Sequence, residues 1–223
     1  MKRYFLLILV FIVTILTNSC NQKEANRIQE GDILFQDYRC GALCDAIETV
    51  TTGIDGACFS HIGIVFKNDN QWQVLEAIGK DVHYTPLQDF LNRSIDENGK
   101  ERIWVGRVKT QWKHLIPLIK KESKKYIGKL YDEKFIIDND SYYCSELLYE
   151  LFKKTNHNQD FFFLEAMTFK EPHSQEILPI WKDYYQKLNY KIPEGELGIN
   201  PAGISRSHKI TIVWKMGTVK TKK

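Results

Sequence analysis

Three side chains in this 223-residue sequence could together perform acyl transfer: the thiol of Cys144, the imidazole of His61 and the carboxylate of Glu76. Cys144 lies in Tyr142-Tyr143-Cys144-Ser145-Glu146, where an aromatic, extended stretch gives way to a helical pattern of Leu147, Leu148, Leu151 and Phe152. A cysteine in the first turn of a helix meets unpaired backbone N–H groups and the positive end of the helix dipole. Both favour the thiolate, which is the nucleophilic form. A base must then share the thiol proton, and a third group must orient that base. Each residue also has a plainer use: Cys144 as a small buried hydrophobe, His61 as a core histidine bonded to backbone, Glu76 as an exposed edge carboxylate.

The elements that must position these groups are legible. Ser60-His61-Ile62-Gly63-Ile64-Val65-Phe66-Lys67 is a β-prone run, Asn68-Asp69-Asn70 a turn signal, and Gln71 to Ala77 a second strand. With Asn68-Asp69 as the hairpin loop, His61 falls directly opposite Glu76. A four-residue loop keeps the two on one face, one pair apart, and a three-residue loop separates them. Glu76 shares its face with Trp72 and Val74, an apolar setting in which a carboxylate needs a partner. Elsewhere the pattern predicts a strand at 31–36, a helix at 41–52, strands at 82–85 and 102–108, and a short helix at 86–93. It further predicts helices at 112–125, 144–152 and 180–188, a loop at 193–205 and a closing strand at 209–214. The aromatic stretch 161–169 reads as a loop that either packs in the core or walls a substrate site.

The amino-terminal end carries a separate signal. Lys2 and Arg3 precede an apolar run from Tyr4 to Leu16, then Thr17-Asn18-Ser19 and Cys20. The run is short for a membrane span and right for a signal-peptide core. Cys20 after a small residue resembles a bacterial lipoprotein processing site, although Thr17 stands where an aliphatic residue is usual. The expected organisation is therefore a leader at 1–19, a lipidated Cys20 with a tether to 29, a domain over 30–216, and a solvated basic tail at 217–223. An uncleaved anchor or ordinary secretion are the alternatives, and all place the domain outside the cytoplasm, in the cell envelope. Hydrophobic residues at 43% and aromatic ones at 13% support one packed core. Without Lys2 and Arg3, the 31 basic side chains come to near balance with the 28 acidic ones, which gives no electrostatic case for nucleic acid. Cys40, Cys44 and Cys58 leave open a disulfide in any pairing, or a zinc site completed by His61.

Taken together, Gly31-Asp32-Ile33-Leu34-Phe35-Gln36, Phe59-Ser60-His61-Ile62-Gly63-Ile64-Val65, Val74-Leu75-Glu76-Ala77 and Tyr143-Cys144-Ser145-Glu146-Leu147 resemble the motif series of the YiiX/YebB-like branch of NlpC/p60 cysteine hydrolases. These are circularly permuted papain-like enzymes, with histidine before cysteine in the chain. The resemblance implies an α+β fold in which a small antiparallel sheet or half-barrel packs against helices. It implies Cys144 as nucleophile, His61 as base, Glu76 as the polar third member and no cofactor. Asp32, Ser60, Tyr142 and Tyr143 are the expected supporting residues. Relatives act on amide bonds of cell-wall peptides, and other permuted relatives act on lipid esters or acyl groups. The expected partners are thus a cell-wall peptide or lipid-like acyl substrate, and a membrane through the lipid anchor. The alternatives are a lipid-directed esterase or acyltransferase on the same site, a non-catalytic ligand-binding module, and a zinc-stabilised module.

Overall fold

Five apolar runs in the first half of the chain and one near its end pair into a six-stranded antiparallel sheet. Its strands are β1 (Ile33–Gln36), β2 (His61–Asn68), β3 (Gln71–Ile78), β4 (Asp81–Pro86), β5 (Ile103–Val108) and β8 (Ile210–Met216), in the order β4-β3-β2-β1-β5-β8. The computed structural model describes residues 27–222, and Gly31–Lys223 form the unit discussed below. The leader, Cys20 and most of the tether lie outside the described residues. Two further short strands, β6 (Glu165–Ala166) and β7 (Leu197–Gly198), pair apart from the main sheet. This is the α+β, antiparallel-sheet architecture expected from the sequence.

The helices are α1 (Ala42–Val50), α2 (Leu87–Asn92), α3 (Leu115–Ser123), α4 (Cys144–Thr155), α5 (Pro179–Lys187) and α6 (Pro201–Ser205). One sheet face, with Ile33, Phe35, Ile62, Ile64, Phe66 and Leu75, shares a core with Leu115 and Ile119 of α3 and with Leu147, Leu148, Leu151 and Phe152 of α4. Leu147, Leu148, Leu151 and Phe152 are fully buried, so α4 is fixed against the sheet by its apolar side. A second cluster joins Ala46 of α1 to Phe169, Trp181 and Tyr185.

Four expectations change in the structure. The β2–β3 loop is Asp69-Asn70, both in the left-handed region (φ 46° and 62°), because Asn68 pairs with Gln71. Two positive φ values suit the twist of a two-residue hairpin turn, and Asp and Asn tolerate them best after glycine. The helix expected at 112–125 starts only at Leu115, after a 3-10 turn at Thr110–Trp112. That start keeps Pro117 in the first turn, where a missing N–H costs nothing. The loop expected at 193–205 contains β7 and α6, whose start is capped by Asn200 accepting from the Gly203 N–H at 2.8 Å.

The fourth change concerns 217–222, which is docked and not a solvated tail. Cys58 N donates to Lys220 O and Lys222 N to Gly56 O, both at 2.8 Å. Lys220 N donates to Asp37, and Lys222 Nζ to the Thr49 and Thr51 carbonyls, at 2.7–2.9 Å. The segment satisfies the loop after α1, which explains why its backbone is held in spite of its basic side chains.

Candidate active site

The first residue of β2 and the first residue of α4 meet. His61 and Cys144 are both buried, and their side chains hydrogen-bond to each other. The other imidazole nitrogen, Nε2, donates to Glu76 Oε2 at 2.6 Å. That leaves Nδ1 as the atom facing the thiol. The observed register places Gly63, not His61, opposite Glu76, and His61 lies two residues along on the same face. The contact is therefore diagonal, and a register change of two residues keeps the pleat. Gly63 helps to hold β2 close, because a Cβ there would lie 2.4 Å from Val74 Cγ1 and 3.1 Å from Leu75 O.

Glu76 is 0% exposed. It accepts from Thr85 Oγ1 at 2.5 Å, from Arg93 Nη1 at 2.7 Å and from Arg93 Nη2, in addition to His61. Burial works to raise its pKa, but Arg93 and then His61 outweigh it and hold the carboxyl at about 2. Burial works to lower the pKa of His61, but hydrogen bonds to Cys144 and Glu76 raise it to about 9. The imidazole is thus protonated at neutral pH, which suits a partner that carries negative charge.

Cys144 opens onto a cleft of about 220 Å³. Its wall includes Ile47 and Val50 of α1, Phe135, Met167, Phe169 and Trp181. Glu165 and Arg206 are its charged residues, and they neutralise each other at 2.8–2.9 Å. Of the aromatic stretch, Phe161 and Phe162 go to the core against Phe152, with ring centroids 4.6 and 4.9 Å away, whereas Phe169 reaches the cleft. The core reading holds for Phe161 and Phe162, and Phe169 lines the cleft.

Ser60 and Tyr143 line the cleft with Cys144. Ser60 Oγ donates to Glu48 Oε1 at 2.9 Å and accepts from Tyr38 N at 3.0 Å. Tyr143 precedes α4, and its hydroxyl accepts from Ile199 N at 3.1 Å. Two expected supporting residues are placed elsewhere. Asp32 is tied to Arg107 of β5, accepting from Nε at 2.6 Å and Nη2 at 2.8 Å. Tyr142 packs on Tyr126 with centroids 5.0 Å apart and does not line the cleft. Tyr131, which sequence reasoning passed over, is also on the cleft wall. Burial followed by the charge of Cys144 pushes its hydroxyl pKa well up. Arg93 and Thr85 were also missed. The signal for a cation was the apolar face of Glu76, with Arg93 at the end of the next helical segment.

The cysteines resolve differently from the zinc alternative. Cys40 and Cys44 form a disulfide at the start of α1, Cys58 is a buried free thiol, and His61 is committed to Glu76. Among the described residues, no group of three or more His, Cys, Asp or Glu side chains could hold a metal ion.

Comparison with known proteins agrees with this geometry. The family described as "Permuted papain-like amidase enzyme, YaeF/YiiX, C92 family" matches residues 27–214. The protein YiiX of Escherichia coli (strain K12) is 29% identical over 195 residues, covering 84% of this chain and 86% of that one. A crystal structure of "metalloprotein yiiX" from Escherichia coli O157:H7 superposes with a TM-score of 0.66 at 28% identity. It covers 84% of this chain and 97% of the other. The metal in that description belongs to that protein. The described residues of this chain do not fit one at the site, since no such side-chain group forms among them, and no step below is routed through a metal.

Proposed function

This chain belongs to the YaeF/YiiX (C92) family of permuted papain-like amidases, cysteine hydrolases by type, and on that premise we propose that Cys144, His61 and Glu76 are its catalytic residues. The observation that carries the reading is the buried line from the Cys144 thiol through the His61 imidazole to the Glu76 carboxylate, at the wall of an open cleft. The Cys144 thiolate attacks the carbonyl carbon of an amide. Backbone N–H groups in the first turn of α4 face the oxyanion. Tyr131, on the same wall, is a further donor. As the C–N bond breaks, imidazolium Nδ1–H gives its proton to the leaving nitrogen and a thioester remains. His61 then takes a proton from water, hydroxide attacks the thioester, and the acid leaves as the thiolate–imidazolium pair is restored.

The wall of the cleft supports an apolar acyl group on the substrate. Its apolar side chains come from several segments of the chain, and its two charged groups neutralise each other. A lipid-like N-acyl amide therefore fits better than a cell-wall peptide, whose charged groups would need partners of opposite sign. The leader and Cys20 support placement of the enzyme in the cell envelope, anchored by lipid to the membrane.

The test is alkylation of each cysteine by iodoacetamide from pH 5 to 9, read by mass spectrometry, with His61→Ala alongside. Cys144 should react at pH 6, where an ordinary thiol with pKa ~8.5 is almost wholly protonated. His61→Ala should remove that reactivity. A Cys144 that reacts like a free thiol in both proteins would overturn the assignment. N-acyl amides from two to sixteen carbons then test the cleft, and kcat/KM should rise with acyl length.

A further inference from the structure

Cys144, His61 and Glu76 alone do not balance in charge. The thiolate, imidazolium and carboxylate sum to minus one in a place from which water is largely excluded. An uncompensated buried charge is removed by taking up a proton, and the group that would take it most readily is the thiolate. Arg93 supplies the missing positive charge. It follows directly after α2, is not part of the cleft wall, and keeps its side chain 20% exposed. Its two terminal nitrogens reach the two oxygens of Glu76, the planar fork that suits a carboxylate.

We propose that Arg93 is a positioning residue, whose guanidinium fixes Glu76 and, through Glu76, sets the pH at which the Cys144 thiolate forms. The proposal rests on Cys144 being the nucleophile. The surroundings of Arg93 are built for this task. The Phe90 ring packs near both groups, with its centroid 5.3 Å from the Arg93 guanidinium and 5.7 Å from that of His61. The Phe90 carbonyl is held by Gln36 Nε2 at 3.0 Å, so α2 is pinned to β1. Thr85 of β4 closes the carboxylate, and Arg93 Nη2 also reaches Thr85 Oγ1 at 3.3 Å. The other titratable groups acting on Arg93 are Tyr38 and Asp89, and neither interacts as strongly as Glu76. His61 and Arg93 hold Glu76, and Cys144 and Glu76 hold His61.

With Arg93 present, the reactive state of the four groups is neutral. With a neutral residue in its place, that state carries a net negative charge, and thiolate formation requires higher pH. The experiment is the alkylation profile of Cys144 from pH 4 to 10 on the full chain. The proteins compared are wild type, Arg93→Gln, Arg93→Lys, Glu76→Gln and the double variant. Arg93→Gln should move the midpoint up by about one pH unit or more. Arg93→Lys, which keeps the charge but gives up the fork, should fall between it and wild type. In the Glu76→Gln background, Arg93→Gln should add little. Two results overturn the proposal while leaving the nucleophile in place: an Arg93→Gln midpoint equal to wild type, or an undiminished effect of Arg93→Gln without Glu76. Absence of His61-dependent reactivity in the wild type would instead remove the nucleophile reading itself. If Arg93→Gln does not fold, by circular dichroism, Arg93→Lys decides. A raised midpoint supports the proposal, and one coincident with wild type overturns it.

Discussion

Glu76 and Glu146 are the same residue type, both 0% exposed, and they sit in opposite states of charge. Glu76 has a bidentate arginine, a threonine hydroxyl and an imidazolium, and its pKa is about 2. Glu146, two residues past Cys144, has no cation or hydroxyl on it among the described residues: it accepts from Tyr143 N at 3.3 Å, and its pKa is lowered only weakly by the backbone at Tyr143 and Asp138. Burial dominates there, with Asp132 adding to it, and raises the pKa to about 9. Depth therefore does not determine whether a carboxyl is ionised; the donors that reach its oxygens do. One carboxyl holds the His61 imidazole, and the other is a protonated cap in the first turn of α4.

The sharpest way to break this comparison is to neutralise both. Glu76→Gln should lower kcat/KM by roughly 10²–10⁴-fold, because the imidazolium loses its counter-charge and its orientation. Glu146→Gln should change kcat/KM by less than about threefold at pH 7, since the residue replaced is already neutral. Equal losses in the two variants would mean that the charge assignments are wrong.

Stability against pH separates the two next. The pKa of Glu76 is depressed from ~4.3 unfolded to about 2. Its contribution is full above pH ~4.3 and disappears as pH falls toward 2, on the order of 3 kcal/mol in all. Urea unfolding of wild type from pH 5 to 2 should show this loss, and Glu76→Gln should show much less of it.

The pKa of Glu146 is raised, so its sign is opposite. Here the folded state holds a proton that the unfolded chain releases above pH ~4.3. Wild type should thus lose stability relative to Glu146→Gln as pH rises from 5 toward 9. His61, raised to about 9, adds a loss of its own over pH 6.5 to 9, common to both proteins. A gap that does not widen with pH would show that Glu146 is ionised.

The smallest effect concerns the cleft wall. Reducing the Cys40–Cys44 disulfide frees only the start of α1, while Lys222 still holds the loop after it through the Thr49 and Thr51 carbonyls. Dithiothreitol should lower Tm by a few degrees and leave the Cys144 alkylation profile unchanged.

Much of this was readable from sequence, because the elements bearing Cys144, His61 and Glu76 follow strong periodic patterns. The turn between β2 and β3 was not, since Asn68-Asp69-Asn70 offers two adjacent dipeptides with equal turn chemistry. The error was harmless to the face because it was two residues. Arg93 was missed for a different reason. It joins Glu76 across 17 residues of chain, and no period connects them. Tyr142 and Tyr143 looked equivalent because a helix start gives no face until its first turn is placed. The docking of 217–222 was hidden because it rests on backbone groups of Thr218, Lys220 and Lys222 together with carbonyls that receive the Lys222 amine, and charge counting reveals neither.

The order of the groups along the chain also bears on how the site is born. His61, Glu76, Thr85 and Arg93 all lie in the meander of β2, β3, β4 and α2, whose contacts are short-range in sequence. Such contacts close fast, whereas pairing α4 with β2 must close a loop reaching to Cys144. A folding chain would therefore assemble the His61–Glu76–Arg93 cluster before Cys144 joins it. The thiol then meets the imidazole only when the core around Leu147 and Leu148 has formed. Pulsed hydrogen exchange should find amides of 61–93 protected before those of 144–155, and the reverse order would contradict this sequence of events.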